Sequence, residues 1–534
     1  MAGRIALKLA RAACEVLRAL DLNDLLTKVL ELDLPQAVRG ELQLRLGMLL
    51  HRSGTGSQRA RRLLHEAVRN FRDRDDLRAW AMVALEMPNA PRPSLAARRQ
   101  RLHQASELAG RIRDPDFSVY LLGKSGAMLA LSGDPAWRKL MTAVRDRTAD
   151  RPRMRGQVNA YYSLGDAACY AGHHHDAAPL LSAALTGALE LGNARLETLV
   201  RSALALLDYC RGRWYGLDAA VAALLDQLAE VPRMAPEMEV VAGALALARG
   251  RLDEAAERLA VVADRATDAG ESEMLPMAVG ALVRLKVARG EVPAAVADAE
   301  EYLAQRPADL LWPAEFRALP WLAEALAAGG CAARAWAVVG GFAELASGLD
   351  APLAPAAVAH ARGLVRLATG DPGGAVPLLT DAAQRYESIG CRYEAAQARE
   401  KAADALVSAG RPEAGAGHLR AAITVYRDID ATWDAGRATR TARRYRLPVP
   451  RAHRGGRPGY GAALSPRERQ VAELAVAGRT NREIARDLYL SPETVKKHLQ
   501  STMRKLGVST RLAIAERLAA EADGHGREIS TPVG

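Results

Sequence analysis

The chain contains 534 residues, of which 25% are charged and 49% are hydrophobic, and its formal net charge is +11. This length exceeds one ordinary hydrophobic core, so the sequence predicts a repeat array or several domains. No apolar segment is long enough to span a bilayer, and no paired carboxylates, nucleophile elbow or metalloprotease motif indicates an enzyme.

The N-terminal segment and the cysteines predict the compartment. Arg4, Lys8 and Arg11 interrupt the apolar run that a signal peptide would need. The cysteines are odd in number and lack C-x-x-C spacing, at positions Cys14, Cys169, Cys210, Cys331 and Cys391. We expect reduced core thiols in a cytoplasmic protein, with no disulfide, no metal, no cofactor and no membrane partner.

Two short motifs resemble binding sites, and we interpret both as structural. Gly123–Ser125 is similar to the end of a phosphate-binding loop, yet Ser118 stands where that motif needs glycine. His173–His175 are adjacent, and adjacent residues on one turn seldom point at one ion. We therefore expect the histidines to decorate a repeat loop.

Glycines recur at a fixed interval in the second half of the chain. A spacing of forty residues separates Gly250, Gly290, Gly330, Gly370 and Gly410. Five positions after each glycine stands a small residue, namely Ala255, Ala295, Ala335, Ala375 and Gly415. The signal persists upstream at Gly212, Gly172 and Gly133 with similar spacing. A glycine turn between two helices, with small residues where the helices cross, is the unit of a helical solenoid.

We therefore predict an all-α fold in which residues 1–446 form a solenoid with a period of about 40 residues. The period exceeds that of a standard tetratricopeptide unit, which favours extended helices of the tetratricopeptide-like (TPR-like) type. HEAT-like packing is the structural alternative. No alternating pattern is long enough to predict a sheet.

The segment after the repeats is basic. Residues 447–463 are rich in proline, glycine and arginine and show no periodicity, so we predict a flexible linker. Eight arginines and no acidic residue lie between Arg437 and Arg457, whereas residues 1–436 carry 53 residues of each charge sign. The net positive charge is thus concentrated at the C-terminus, which favours a nucleic-acid partner there.

Residues 464–520 carry marked helix boundaries. Ser465–Glu468 combines a hydroxyl N-cap, proline at the first helical position and a capping-box glutamate. Gly478 is placed to end this helix, and Thr480 with Glu483 repeats the capping box for a second, short helix.

A third helix is predicted to begin after a three-residue turn, Tyr489–Ser491, and to end at Gly507. Two short helices joined by such a turn form a helix-turn-helix, whose second helix enters a DNA major groove. Residues 521–534 are predicted to be a flexible tail.

The third helix is predicted to have two different faces. Its apolar stripe, which we expect to pack against the second helix, consists of Val495, Leu499, Met503 and Leu506. The other side carries Lys496, Lys497, Gln500, Ser501 and Arg504. Lysine and arginine can reach guanine edges or phosphates, and glutamine can pair with adenine. Thr480, Asn481 and Arg482 lie at a helix N-terminus, which favours phosphate binding.

These residues resemble the DNA-binding domain of the LuxR type. The first block of that pattern is matched by Leu464, Ser465, Arg467, Glu468 and Val471. The second block is matched by Gly478, Thr480, Asn481, Glu483, Ile484, Ala485 and Leu488. The third is matched by Ser491, Thr494, Val495, Lys496, His498, Lys505 and Leu506.

The resemblance implies a four-helix domain, with Arg511 to Leu518 in the closing helix, that often dimerises on DNA. It implies that Lys496, Lys497 and Gln500 read bases and that Thr494 and His498 lie nearer the DNA backbone. With Lys505, the complete expected contact set is Thr480, Asn481, Arg482, Thr494, Lys496, Lys497, His498, Gln500, Ser501, Arg504 and Lys505.

The combined architecture is similar to the C-terminal part of the large ATP-binding LuxR-type regulators, but their nucleotide-binding module is absent from this sequence. The resemblance implies a transcriptional regulator that binds double-stranded DNA as a homodimer, has RNA polymerase as a partner, and senses an unidentified small molecule or protein through its repeats. The alternative is a TPR-like interaction scaffold whose helix-turn-helix is incidental or binds protein.

Overall fold

The computed structural model describes residues 5, 8, 22–53, 57–71, 73–86, 94–149, 152–228, 235–269, 274–306, 313–447, 464, 466–476, 478–488, 490–511 and 513–514. Across these residues the protein is helical and contains no strand, which confirms the all-α prediction. The backbone contacts divide the chain into two compact units. The solenoid unit comprises residues 1–213 and 223–449, and the C-terminal unit comprises residues 214–222 and 450–534.

Most helices pack against the next helix along the chain. The first half of the chain contains α1 (Leu22–Leu30), α2 (Gln36–Ser53), α3 (Ser57–Asn70), α4 (Asp75–Ala84), α5 (Leu95–Arg111), α6 (Pro115–Leu131), α7 (Trp137–Thr148), α8 (Arg155–Ala171), α9 (His174–Glu190), α10 (Ala194–Cys210) and α11 (Leu217–Leu228). The repeats continue with α12 (Pro236–Arg249), α13 (Leu252–Ala269), α14 (Leu275–Arg289), α15 (Val292–Gln305), a 3-10 helix (Pro313–Arg317), α16 (Leu319–Ala328), α17 (Ala332–Ala346), α18 (Leu353–Ala368), α19 (Pro372–Ser388), α20 (Arg392–Ser408), α21 (Pro412–Asp428) and α22 (Thr432–Arg444).

The periodic glycines lie in the turns between paired helices, as the sequence predicts. The five glycines from Gly250 to Gly410 all have φ between +73° and +82°, a left-handed conformation that glycine adopts without steric cost. At Gly250 the backbone N–H donates to Leu247 O at 3.1 Å, and the next N–H donates to Ala246 O at 2.9 Å. Each such turn satisfies carbonyl groups at the end of one helix and reverses the chain into the next.

Small residues lie where the paired helices cross. Ala255, Ala295, Ala335 and Ala375 are fully buried. A Cβ atom placed on Gly363 would lie 2.5 Å from Leu379 Cγ, so α18 and α19 pack too closely there for any side chain. The alanine-rich composition therefore produces close helix contacts rather than large aromatic layers.

Contacts between distant repeats hold the solenoid unit together. The Asp350 N–H donates to Gly133 O at 2.8 Å, and His174 Nδ1 lies 3.0 Å from Ile389 O, 215 residues away in sequence. The repeat pattern predicts neighbouring contacts but not these. His174 is also fully buried and only His175 of the three histidines is exposed, so the expectation that all three decorate a loop is wrong.

The C-terminal unit contains α23 (Pro466–Val476), α24 (Asn481–Asp487) and α25 (Pro492–Leu506) around a core of its own. Ile514, at the start of the expected fourth helix, is buried in this core, whereas most of residues 511–518 lie outside the described residues. Most of the expected linker and all of the expected tail also lie outside them. Among the described helices, none combines the length and apolar character needed to cross a membrane.

Candidate nucleic-acid interface

The start of α24 has the predicted capping box. Thr480 Oγ1 accepts a hydrogen bond from the Glu483 N–H at 3.3 Å, and Glu483 Oε2 accepts one from the Thr480 N–H at 2.6 Å. The hydrogen bond from the Thr480 N–H holds the pKa of the Glu483 carboxyl below its usual value. Gly478, with φ +80°, turns the chain from α23 toward this cap.

The boundaries of α25 are also those that the sequence predicts. Ser491 Oγ accepts a hydrogen bond from the Thr494 N–H at 3.1 Å, Pro492 occupies the first turn, and Gly507 ends the helix with φ +69°. The hydroxyls of Ser491 and Thr494 lie 2.8 Å apart. Both ends of the helix are therefore fixed by local hydrogen bonds, so its side chains have defined directions.

One face of α25 packs into the core of the C-terminal unit. Val495, Leu499 and Leu506 are buried there with Ile484 of α24, and Met503 packs at the edge. Thr502 is also fully buried, and its hydroxyl donates to Glu468 O at 3.4 Å. The apolar stripe is thus confirmed, with one polar residue that its spacing did not indicate.

The opposite face of α25 is exposed and basic. Lys496, Lys497, Gln500 and Arg504 are all exposed, and three of them follow one another at intervals of four residues. We call these four residues the recognition face. Side chains four residues apart on a helix project in nearly the same direction, so the recognition face presents three cations and one amide together.

Two residues of the expected contact set point elsewhere. Glu468 of α23 accepts a hydrogen bond from Ser501 Oγ at 2.5 Å and from Lys505 Nζ at 2.6 Å. Its side chain is only 8% exposed, so both partners are held against α23. Ser501 and Lys505 thus connect α25 to α23. The expected cap made by Glu468 involves Ser465, which lies outside the described residues.

Of the residues near the start of α24, some are exposed and one is hydrogen-bonded within the C-terminal unit. Thr480 and Arg482 are exposed. Asn481 Oδ1 accepts a hydrogen bond from Arg511 Nη1 at 3.0 Å, so its side chain is engaged within the unit. Thr494 and His498 are half-buried at the side of α25.

Two arginines hold the three helices in place, which the sequence pattern alone did not indicate. Arg467 is buried and donates to Leu488 O in the turn before α25 and to Gln470 Oε1 at 3.0 Å. Arg511 donates to the carbonyl oxygens of Ala475 and Arg479. The carbonyl groups of these turns are thus satisfied by guanidinium groups, which fixes the angle between the helices.

One arginine of the basic stretch is a solenoid residue. Arg437 lies on α22, and its guanidinium donates to both carboxylate oxygens of Glu400, at 2.9 and 2.6 Å. It also pairs with the buried Asp434 at 2.6 Å. Although burial opposes the charge, these carboxylates raise the pKa of Arg437 well above its usual value. Its charge is neutralised inside the solenoid unit, so it does not contribute to a nucleic-acid footprint.

The comparison with known families identifies the C-terminal domain. Residues 462–518 match the profile described as bacterial regulatory proteins, luxR family. This chain carries a LuxR-type helix-turn-helix domain at its C-terminus. The match spans α23 to α25, so the LuxR-type domain contains the recognition face.

Several relatives are similar to this chain over short stretches. The spore germination protein GerE of Bacillus subtilis is 48% identical over 48 residues, which are 9% of this chain and 65% of that protein. The transcriptional regulatory protein UhpA of Escherichia coli is 49% identical over 55 residues, 10% of this chain and 28% of UhpA. A putative HTH-type transcriptional regulator of Mycobacterium bovis is 35% identical over 97 residues, covering 17% of this chain and 10% of its relative. The chain thus spans only part of each of these proteins.

A solved structure resembles the repeats. The crystal structure of a Rap protein complexed with competence and sporulation factor superposes with a TM-score of 0.52 and 12% identity. The superposition covers 67% of this chain and 98% of that one. At this identity the likeness concerns the fold alone, and it agrees with the predicted TPR-like helical repeats.

Proposed function

We propose that this protein is a sequence-specific DNA-binding transcriptional regulator whose solenoid senses a ligand or partner protein and controls the LuxR-type domain. The observation that carries the proposal is the recognition face. Lys496, Lys497, Gln500 and Arg504 project away from a core that holds α25 rigidly on α23 and α24.

The roles of these residues derive from their chemistry and position. Lys496, Lys497 and Gln500 read base edges in the major groove, because lysine pairs with guanine and glutamine with adenine. Arg504, two turns beyond Lys496, contacts a phosphate or a further base. Thr480, Arg482, Thr494 and His498 flank the recognition face and contact the DNA backbone, which fixes the register of α25.

A small cavity with apolar and polar groups in its wall supports ligand sensing by the solenoid. It has a volume of about 60 Å³ and is lined by Arg284, Arg317, His360, Tyr393 and Glu394 among others. His360 Nε2 and Glu394 Oε2 are buried there without a hydrogen-bond partner. Buried polar atoms without partners are unfavourable, so a small polar molecule that pairs with them would stabilise the solenoid. A homodimer on DNA and contact with RNA polymerase complete the proposal.

The test is selection of fragments from a genomic DNA library by the purified full-length protein at near-physiological salt. Enrichment of paired half-sites about one helical turn apart would support a dimeric regulator. Enrichment by residues 460–534 but not by the full chain would support control by the solenoid. Failure of both proteins to enrich any motif would contradict the proposal and favour the interaction scaffold.

A further inference from the structure

Three thiol and imidazole side chains from separate helices meet inside the solenoid unit. Cys169 lies in the last turn of α8, His174 is the first residue of α9, and Cys210 is the last residue of α10. All three are fully buried. One nitrogen of His174 and the two sulfur atoms lie within 4.8 Å of one another.

A further thiol and a backbone carbonyl oxygen lie on the Nδ1 side of the His174 ring. Cys391 Sγ lies 3.7 Å from His174 Nδ1. His174 Nδ1 also lies 3.0 Å from Ile389 O, a backbone acceptor that sets the orientation of the ring. A histidine that binds metal commonly donates its other ring N–H to a carbonyl or carboxylate in this way.

We propose that Cys169, His174 and Cys210 bind a thiophilic d10 metal ion, for which Zn²⁺ is the probe. Two thiolates and an imidazole are ligands that zinc and copper(I) prefer to calcium or magnesium. Tetrahedral zinc, with Zn–S bonds of about 2.3 Å, holds sulfur atoms about 3.8 Å apart. The cluster is within about 1 Å of that spacing, which side-chain rotation can close.

Arg317 and Glu394 form an ion pair beside the ligands, with 3.5 Å between Nη1 and Oε1. Arg317 is 8% exposed, and its Nη2 lies 3.5 Å from His174 Nε2. Its guanidinium also interacts electrostatically with the sulfur atoms of Cys169, Cys210 and Cys391. Zinc with two thiolates and one imidazole carries no net charge, and the Arg317–Glu394 ion pair adds none, so the buried assembly is neutral overall.

This proposal is independent of DNA binding and revises the expectation that the cysteines are inert core thiols. Spacing along the chain suggested no metal ligands, because Cys169 and Cys210 belong to different repeats. A metal ion there would bridge α8, α9 and α10 and would fix the His174 ring that contacts Ile389 O in a late repeat. We therefore expect bound metal to raise the unfolding temperature of the solenoid unit.

The experiment titrates demetallated, untagged full-length protein with Zn²⁺ and Co²⁺ under a non-thiol reductant. We expect one ion per chain by elemental analysis. Co²⁺ should produce a thiolate-to-cobalt charge-transfer band in the wild-type protein, which reports sulfur ligation without any substitution. Absence of binding, or bound Co²⁺ that lacks this band, would overturn the proposal.

Matched variants locate the site. Cys169→Ser and Cys210→Ser should each weaken Zn²⁺ binding more than about 100-fold, since even residues that only orient a ligand cost about 10- to 100-fold when removed. Cys331→Ser is the control, because Cys331 is exposed. Equal binding by Cys169→Ser and Cys331→Ser, with helical content unchanged in both, would refute the assignment.

A second pair of variants tests the imidazole. His174→Ala should lose binding, whereas His175→Ala, a change at the exposed neighbour, should retain it. Mass spectrometry of the wild-type protein distinguishes metal binding from disulfide formation by the same cysteines. A disulfide between Cys169 and Cys210 that persists under the reductant, together with no bound metal, would overturn the proposal in favour of a redox pair.

Discussion

Glu468 and Lys505 form an ion pair with 2.6 Å between Oε2 and Nζ, and their side chains are 8% and 15% exposed. The pair joins α23 to α25 across the interior of the LuxR-type domain. Lys505 therefore has its charge satisfied within the protein, unlike the exposed lysines Lys496 and Lys497 on the same helix. The lysines of α25 therefore have two roles: Lys505 attaches the helix to α23, whereas Lys496 and Lys497 are exposed to solvent.

The ion pair predicts a loss of domain stability when its carboxylate is removed. Glu468→Gln should lower the free energy of unfolding of residues 460–534 by about 1–3 kcal/mol, because hydrogen bonds to charged groups contribute about that much. Urea unfolding followed by helical circular dichroism measures the change. Glu473→Gln is the control, since Glu473 is exposed on the same helix. Equal stability of the two variants would contradict the structural role of Glu468.

The recognition face predicts a different phenotype. Lys496→Ala should weaken binding to a selected DNA site by about 1–3 kcal/mol and relax base preference at one position, as expected for a lost base contact. Binding to titrated duplexes that differ at single positions measures both effects. Lys139→Ala, at an exposed lysine of α7, should bind DNA like the wild type.

A uniform loss of affinity for all sequences, with a lower salt dependence, would instead make Lys496 a phosphate contact. If the substitution changes neither affinity nor specificity, Lys496 does not contact DNA. Comparing the affinity and base preference of Lys496→Ala with those of Lys139→Ala separates these outcomes from a general effect of removing one positive charge.

The recognition face could be predicted from sequence because it depends only on helix period and local caps. The Thr480–Glu483 and Ser491–Thr494 contacts join residues three positions apart, so short-range patterns contain them. Glu468 could not be assigned in this way. Its partners Ser501 and Lys505 lie 33 and 37 residues along the chain, and only the packing of α25 on α23 brings them together.

The same distinction holds in the solenoid. The glycine turns could be predicted because a left-handed φ selects glycine wherever it occurs. The contact between His174 and Ile389 could not be predicted from the sequence. It depends on the total rotation that builds up from one repeat to the next between these residues. The cluster of Cys169, His174 and Cys210 likewise arises from the placement of three helices rather than from a motif.

Two glycines within solenoid helices predict stability changes of opposite sign. Gly363→Ala should lower the free energy of unfolding by about 1–3 kcal/mol, since its Cβ would meet Leu379 Cγ at 2.5 Å in the packed core. Gly417→Ala should raise it by about 0.5–1 kcal/mol, because no atom lies within 4 Å of that Cβ and alanine favours a helix. Thermal and urea unfolding of full-length variants measure both. Similar effects of the two substitutions would contradict the close packing of α18 on α19.

His360 gives the solenoid a predicted sensitivity to acid. Its ring packs edge-on against Trp321 and Tyr386, at centroid distances of 5.8 and 5.9 Å. Burial lowers its pKa to about 3, against an opposing contribution from Glu324. The folded protein therefore keeps His360 neutral while the unfolded chain gains a proton below a pKa of about 6.5. The stability that this residue contributes is present above pH 6.5 and is lost as the pH falls toward 3.

His360→Phe should remove this contribution, because phenylalanine preserves an aromatic ring and cannot titrate. Between pH 6 and pH 4.5 the free energy of unfolding should fall less steeply in the variant than in the wild type, by about 1.4 kcal/mol per pH unit. The quantity to measure is the difference in slope between wild type and His360→Phe. Burial raises the pKa of Asp404 to about 6, so in both proteins this group makes the free energy of unfolding rise as the pH falls. His175→Phe, at an exposed position, should leave the wild-type slope unchanged. Parallel pH profiles for wild type and His360→Phe would show that His360 takes up its proton equally in both states.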